Sequence, residues 1–351
     1  MIRLLVVEDS KTVQKALVAA FEADPELQVV GVAESGEEAV EAAANLKPDL
    51  ITMDLHLSGM NGLEATRAIM SSSPVPIVIV SGKIDTGDSD LLFRFMEAGV
   101  LMVLPKPAPV GTPGYRESVA SLIHHIKLMS EIKVVRRVFP AGVPAPWPKI
   151  PPVRESGSIK VIAIGASTGG PPLLRQILAA LPEKLGAAVL VVQHMAVGFT
   201  ENFVHWLNHH SRMPVRLAAD GMVITAGEVY VAPDGCHMEA TPAGRISLSC
   251  APPENGVRPS VDALFRSVAQ SYGSSAAGII LSGMGKDGAA ELKTLKERGG
   301  LCIAQDRESS LVFGMPGEAI KIDAVQHVLS PEGIINLLAA VTKKGAQEAS
   351  K

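Results

Sequence analysis

Short β-branched apolar runs alternate with stretches whose apolar residues recur at helical spacing, and the alternation persists along most of the chain. In the first third, Ile2–Val7, Val29–Ala33, Asp49–Met53, Pro76–Val80 and Leu101–Leu104 read as strands. Between the first two, Val13, Ala16, Leu17, Ala20 and Phe21 share one face of a helix that begins at Ser10. Ser35, with Glu38 three residues on, has the pattern of a capping box. Strand–helix alternation predicts a parallel sheet covered by helices on both faces, so the expected class is α/β, doubly wound.

In such a sheet the carboxyl ends of the strands share one edge, and ligands bind there. The residues that reach that edge here are Glu8, Asp9, Asp54, Ser81 and Lys106. Three carboxylates in one place repel one another and call for a cation, and oxygen-only ligands favour magnesium. An opposing lysine and hydroxyl suit phosphate oxygens.

Between Lys127 and Arg154 the composition changes: prolines stand at 140, 144, 146, 148, 151 and 152, and basic residues outnumber the single acid, Glu131. Proline-rich segments are extended and semi-rigid. This is the expected linker, leaving a helix that ends near Val135, with Trp147 as a possible docking anchor.

The alternation resumes at Ile159. The run Ile159–Ile164 leads into Gly165-Ala166-Ser167-Thr168-Gly169-Gly170, then Pro171-Pro172 and a helical pattern with Leu173, Leu174, Ile177 and Leu178. Proline suits a first helical turn. The layout G-x-S-x-G between strand and helix is that of a nucleophile elbow. A glycine-rich phosphate cradle has the same spacing, and spacing alone leaves both open. The dinucleotide pattern G-x-G-x-x-G is absent, and the next strand, Ala187–Val192, ends in Gln193-His194 instead of a ribose-binding acid. A nucleophilic Ser167 needs a base and an orienting acid. His194 is placed at the correct sheet edge for the base, whereas His205, His209 and His210 fall on a helix and His237 in a loop. Asp234, Asp287 and Asp306 all fall near strand ends, and the pattern does not choose among them.

At 351 residues and a formal charge of −4, the chain is long enough for two domains and does not have the charge of a default nucleic-acid binder. No apolar run reaches the length of a membrane span, and Glu8 and Asp9 interrupt the N-terminus before a signal-peptide core forms. Three cysteines without C-x-x-C spacing fit a reducing, cytoplasmic setting and give no metal site.

Residues Met1–Lys127 resemble the receiver domain of two-component response regulators, through LLVVEDS, DLITMDLHLSGMNGLEA, PIVIVSG and LPKP. The resemblance implies that Asp54 is the phosphoacceptor. It implies magnesium on Glu8, Asp9, Asp54 and the backbone carbonyl of His56, with Ser81 and Lys106 on the phosphoryl group. The chain departs from that pattern at Ser58, Asn61 and Val103, where proline, aspartate and an aromatic switch residue are usual.

Residues Ile159–Val341 resemble the catalytic domain of the chemotaxis protein-glutamate methylesterases, through IGASTGGP, VVQHM, VAPDGCHM, RPSVDALF, SGMGKDGA and AQDRESSLVFGMP. That resemblance implies a triad of Ser167, His194 and Asp287, an oxyanion contact from the backbone N–H of Met284 and support from Thr168. The expected organisation is a receiver over 1–127, a linker over 128–157 and a methylesterase over 158–345. The implied activity is phosphorylation-activated demethylation of glutamate methyl esters on chemoreceptors, with deamidation of glutamines as a second reaction. The implied phosphodonor is the pathway's histidine kinase, the implied regulation is docking of receiver on esterase, and no cofactor is expected for the esterase. A non-catalytic phospho-switched module and a small-molecule esterase on the same fold are the alternatives.

Overall fold

The computed structural model describes residues 1–57, 60–82, 89–132, 134 and 159–342. The chain divides into two compact units, Met1–Val143 and Pro144–Lys351. Among the described residues no helix is long and apolar enough to cross a membrane.

The first unit is built from β1 (Ile2–Val7), α1 (Lys11–Glu22), β2 (Leu27–Ala33), α2 (Gly36–Leu46), β3 (Leu50–Met53), α3 (Gly62–Ser72), β4 (Ile77–Ser81), α4 (Ser89–Ala98), β5 (Met102–Pro105) and α5 (Tyr115–Ser130). The five strands pair in parallel in the order β2-β1-β3-β4-β5. The strand order reverses between β1 and β3, so a crevice opens there at the carboxyl edge. β3 and β4 are buried on both faces, and all their residues except Thr52 and the terminal Ser81 are apolar. At α2 half of the expected capping box forms: Ser35 Oγ accepts from Glu38 N–H at 3.3 Å, but the Glu38 carboxylate accepts from the N–H of Glu34, one residue before the cap, at 2.8 Å. α5 runs past Lys127 to Ser130. The predicted helix end at Val135, Trp147 and most of the linker lie outside the described residues.

The second unit comprises β6 (Val161–Ala166), α6 (Gly170–Ala180), β7 (Ala188–Gln193), α7 (Thr200–His210), β8 (Val215–Leu217), β9 (Val229–Val231), β10 (His237–Ala240), β11 (Ile246–Ser249), α8 (Val261–Ser271), β12 (Ala276–Ile280), α9 (Ala289–Glu297), β13 (Leu301–Gln305), α10 (Met315–Lys321), β14 (His327–Leu329) and α11 (Pro331–Thr342). Seven strands form a parallel sheet in the order β14-β13-β12-β6-β7-β9-β8. β10 and β11 form a separate antiparallel hairpin.

β6 lies between β7 and β12, so the chain leaves it first to one side and returns later on the other. That reversal puts a ligand crevice at the carboxyl ends of β6 and β12. All six residues of β6 and all six of β7 are buried, which anchors the edge that carries the site. Fully burying one Val, Leu or Ile contributes roughly 1.5–3 kcal/mol, so the apolar residues of these strands hold the edge in place. The core on one side of the sheet combines Ala163, Val192 and Ile280 with Val261, Leu264 and Phe265 of α8 and Leu292 of α9.

Candidate active site

Ser167 follows the last residue of β6 in a turn that α6 closes. Gly169 has φ +81°, a left-handed conformation that a glycine adopts without strain. The turn is tied down from three sides. Ser167 N–H donates to Ser282 O at 3.0 Å, Gly170 N–H donates to Ser167 O at 2.8 Å, and Gln193 Nε2 donates to Ser167 O at 2.8 Å. The close approach of the neighbouring loop needs Gly283: a Cβ there would stand 2.8 Å from Ser167 Cβ and 2.3 Å from Met315 Sδ.

His194 follows β7, beside the elbow, because β6 and β7 pair through Ala166 and Gln193. Gln193 Nε2 also donates to His194 O at 2.9 Å, so one amide clamps the backbones of Ser167 and His194 together. His194 Nε2 lies 2.9 Å from Asp287 Oδ2. Of the three aspartates the pattern left open, Asp287 is the one on the imidazole. Asp234 instead accepts from Gly198 N–H and Thr200 Oγ at the start of α7, and Asp306 accepts from Ser309 N–H. His205 and His209 stay on α7, where His209 Nδ1 meets His205 O. His237 is buried, accepts from Ser260 N–H at 3.1 Å and donates to Pro252 O, a structural role at the start of α8.

The carboxylate of Asp287 sits against the N-terminus of α8. Oδ2 accepts from Val261 N–H at 2.6 Å; Oδ1 accepts from Ser260 Oγ at 2.7 Å, Asn255 Nδ2 at 2.9 Å and Asp262 N–H at 3.2 Å. Burial pushes this carboxyl up, but the hydrogen bonds from His194, Ser260 and Val261 outweigh it and hold Asp287 below the usual carboxylate range. An ionised carboxylate only accepts, so Nε2 of His194 carries the proton and Nδ1 is the nitrogen left for the serine. Among the described residues no hydrogen bond joins Ser167 Oγ to the imidazole; such bonds are often long before substrate arrives. Neighbouring Asp262 is pushed up by its burial and by the charge of Asp287.

The backbone N–H groups of Thr168, Gly169 and Met284 have no acceptor among the described residues. They border the serine and are suited to negative charge. Thr168 is buried, and its carbonyl accepts from Ser282 Oγ at 2.7 Å. Ser282 is held in turn by Gln305, whose Oε1 accepts from Ser282 N–H at 2.8 Å.

Gln193, Asn255, Ser260, Ser282 and Gln305 all support the site, and sequence reasoning singled out none of them. A signal existed for two. Ser260 precedes a helical pattern as an N-cap should, and Asn255-Gly256 is a turn dipeptide whose residues both take positive φ, +52° and +79°.

In the first unit, Asp54, Glu8 and Asp9 follow β3 and β1, Ser81 ends β4 and Lys106 follows β5, so the five expected residues do converge on one edge. Lys106 Nζ lies 2.7 Å from Glu8 Oε2 and 2.8 Å from Asp54 Oδ2. Asp54 Oδ1 accepts from Leu55 N–H at 2.7 Å. Ligand oxygens of Glu8, Asp9 and Asp54 lie within 4.8 Å of one another, a hard-oxygen donor set that fits magnesium. Burial pushes the Glu8 carboxyl up, with Asp54 adding to it against the pull of Lys106. Burial alone would lower Lys106, but its hydrogen bonds to Asp54 and Glu8 raise it. His56 stands two residues beyond Asp54 in the exposed loop. Of the departures from the receiver pattern, Asn61 caps α3 by accepting from Glu64 N–H at 2.9 Å, a role aspartate fills equally well. Val103 is buried in β5 opposite Ile79, and Ser58 lies outside the described residues.

Comparison with known proteins agrees with both halves. Residues 162–338 match the family model described as CheB methylesterase, and residues 4–112 match the response regulator receiver domain. The chain is 48% identical to a protein-glutamate methylesterase/protein-glutamine glutaminase of Geobacter metallireducens, over 97% of this chain and 99% of the relative. It is 45% identical to one from Nitrosospira multiformis, over 99% of this chain and 100% of the relative. The crystal structure of the Thermotoga maritima CheB methylesterase catalytic domain superposes with a TM-score of 0.51 at 37% identity, covering 52% of this chain and 99% of that one. With a receiver ahead of an elbow serine, and relatives this similar over their whole length, the chain belongs to the CheB family of protein-glutamate methylesterases/protein-glutamine glutaminases.

Proposed function

We propose that the chain is a phosphorylation-activated serine hydrolase of the bacterial cytoplasm that demethylates glutamate methyl esters on chemoreceptors and deamidates receptor glutamines. The observation that carries the chemistry is the His194–Asp287 pair, 2.9 Å apart, at the sheet edge beside Ser167. A phosphate cradle has no use for a buried carboxylate aimed at an imidazole.

In this reading Ser167 Oγ attacks the ester carbonyl and its proton passes to His194 Nδ1. Asp287 keeps the Nε2 proton and stabilises the imidazolium, a role that needs the carboxyl ionised. The N–H of Met284 donates to the oxyanion, with Thr168 holding the turn through its carbonyl. The imidazolium returns the proton to the departing methoxide, and methanol leaves. Water, deprotonated by the same nitrogen, then hydrolyses the acyl-enzyme. With glutamine the leaving group is ammonia, which must be protonated to depart, so His194 matters more as an acid there.

The first unit is read as the switch. Asp54 accepts the phosphoryl group from the pathway's histidine kinase, and Ser81 and Lys106 contact its oxygens. Glu8, Asp9, Asp54 and the carbonyl of His56 would hold magnesium, which offsets the negative charge of the phosphoryl group. The receiver docks on the esterase when unphosphorylated, a weak contact populated because the linker keeps the partners close. Phosphorylation lowers the affinity for that closed arrangement.

The test is methanol release from methylated receptor membranes, with and without a small-molecule phosphodonor. The parent is expected to accelerate with the donor. Ser167→Ala is expected to be folded and inactive, Asp54→Asn to keep only basal activity, and a fragment starting near Ser156 to be fast and indifferent to the donor. Hydrolysis by a folded Ser167→Ala protein excludes the serine mechanism. A fragment no faster than the unphosphorylated parent excludes docking as the brake.

A further inference from the structure

The sequence separates Cys236 from Cys250 by a hairpin, but the fold brings their sulfurs to 3.4 Å. β10 and β11 pair with His237 opposite Ser249, so one step further along the ladder sets Cys236 opposite Cys250. The third cysteine, Cys302, is fully buried in β13. We propose that Cys236 and Cys250 are a reversible dithiol/disulfide site, oxidised by low-molecular-weight disulfides, whose closure fastens the strap of chain that carries Asn255 to Asp287.

Three observations support the site. The first is proximity: a disulfide needs a sulfur separation of about 2.0 Å, and two residues facing each other at the end of a short hairpin reach it by small side-chain rotations. The second is access. Cys250 is exposed and Cys236 half-buried, so a soluble disulfide meets Cys250 first. The hydrogen bond between the two thiols and partial burial push Cys236 up, and as the less accessible sulfur it is placed to resolve a mixed disulfide formed first at Cys250. Cys302, pushed up to about 12 by burial, stays out of the exchange.

The third is position. Cys250 begins the strap that crosses the front of α8. Arg258 Nη1 donates to the carbonyls of Cys250 and Ala251, both at 3.0 Å. His237, next to Cys236, donates to Pro252 O at 3.1 Å. Glu254 and Val257 close the turn at whose tip Asn255 reaches Asp287. A covalent tie at Cys250 therefore fixes the strap at its base.

The exchange balances without any group in the protein. The Cys250 thiolate attacks one sulfur of the external disulfide, forms a mixed disulfide and releases one thiol. Cys236 then attacks the Cys250 sulfur and expels the second thiol. The protein loses two protons and two electrons, and the reagent gains both as two thiols.

The test uses the full chain and oxidised glutathione, with intact mass, peptide mapping and thiol titration as readouts, none of which depends on hydrolysis. The expected product has lost about 2 Da and, titrated after unfolding, two of its three thiols, joins residues 236 and 250 in one cross-linked peptide, and reverts with dithiothreitol. Its thermal midpoint should rise by about 5 °C over the reduced protein, because the tie constrains the unfolded chain. Cys236→Ser and Cys250→Ser should each abolish the cross-link and the shift. A stable glutathione adduct on Cys250 with Cys236 still free, a covalent dimer through Cys250, or an unchanged thiol count would each overturn the proposal.

Discussion

Asn255 Nδ2 lies 2.9 Å from Asp287 Oδ1 and, through the same amide, 2.7 Å from Asp262 Oδ2. One neutral donor thus separates two carboxylates, one of which is paired with His194. Asn255→Asp keeps the size and tolerates the positive φ, but it puts a third carboxylate where the donor was. The added negative charge favours the charged imidazole, so the acid limb of the pH–rate profile should move up. The rate at neutral pH should fall at least tenfold. Asn255→Ala should weaken activity without moving the limb. An unmoved limb in Asn255→Asp would show that the strap does not tune the base.

Asp287 also makes the stability of the second unit depend on pH. Its folded pKa lies below the ordinary carboxylate value, so its contribution is present above about pH 4 and is lost as pH falls through the folded value. Asp262 acts with the opposite sign: its carboxyl is raised, so taking up a proton relieves strain before Asp287 is affected. Thermal midpoints measured downward from pH 6 should therefore hold until about pH 4 and then drop, and the drop should be smaller in Asp287→Asn. Equal slopes in the two proteins would remove Asp287 as the cause.

Gln193 offers a separable test of positioning. Gln193→Leu keeps the bulk but strips the donor from Ser167 O and His194 O. Ser167 O retains Gly170 N–H, so the main loss is the tie between the two loops. The stability cost should be about 1–3 kcal/mol. Displacement of reacting groups by a fraction of an ångström costs far more in rate than in binding, so kcat should fall roughly tenfold or more with KM little changed. A change confined to KM would place Gln193 in substrate binding instead.

Gly283→Ala tests the closeness of the two loops directly. The new methyl would meet Met315 Sδ at 2.3 Å and Ser167 Cβ at 2.8 Å, and Met315 is fully buried. Overpacking of this kind costs about 1–3 kcal/mol. Because the serine is the other neighbour, activity should be lost beyond what the fraction unfolded explains. Urea unfolding and methanol release on the same samples separate the two effects.

Much of this was legible because the chemistry sits at strand ends. A buried parallel strand is an unmistakable apolar run, and whatever follows it lands on the ligand edge; Ser167 after β6, His194 after β7 and Asp54 after β3 were found that way. The acid was not, since Asp234, Asp287 and Asp306 stand equally near strand ends, and the pattern does not encode which one α8 receives at its N-terminus. The hairpin β10–β11 was missed for a related reason: its strands have four residues each and half-buried faces, too short to show a period. The strap that carries Asn255 has no period at all. The proximity of Cys236 and Cys250 depends on that hairpin and was equally invisible.

Lys106 bridges Glu8 and Asp54, and it thereby holds together two carboxylates that repel one another. Lys106→Met keeps the apolar stem and removes the charge. Left alone, the acid cluster should destabilise the first unit by about 1–3 kcal/mol at neutral pH, a figure reduced by the partial exposure of the ammonium. Two treatments should restore stability. Acidification should do so because Glu8 already binds its proton more tightly than a free carboxyl, so it neutralises first. Magnesium at millimolar concentration should do so because the donor oxygens of Glu8, Asp9 and Asp54 lie within 4.8 Å and lack their lysine. Magnesium should therefore raise the thermal midpoint of Lys106→Met more than that of the parent, where the ammonium competes for the same oxygens. Glu8→Gln in the same background should weaken the magnesium effect and leave less for acid to restore. If magnesium stabilises the parent and the variant equally, the cation and Lys106 do not share these oxygens, and the acid cluster is not where the ion binds.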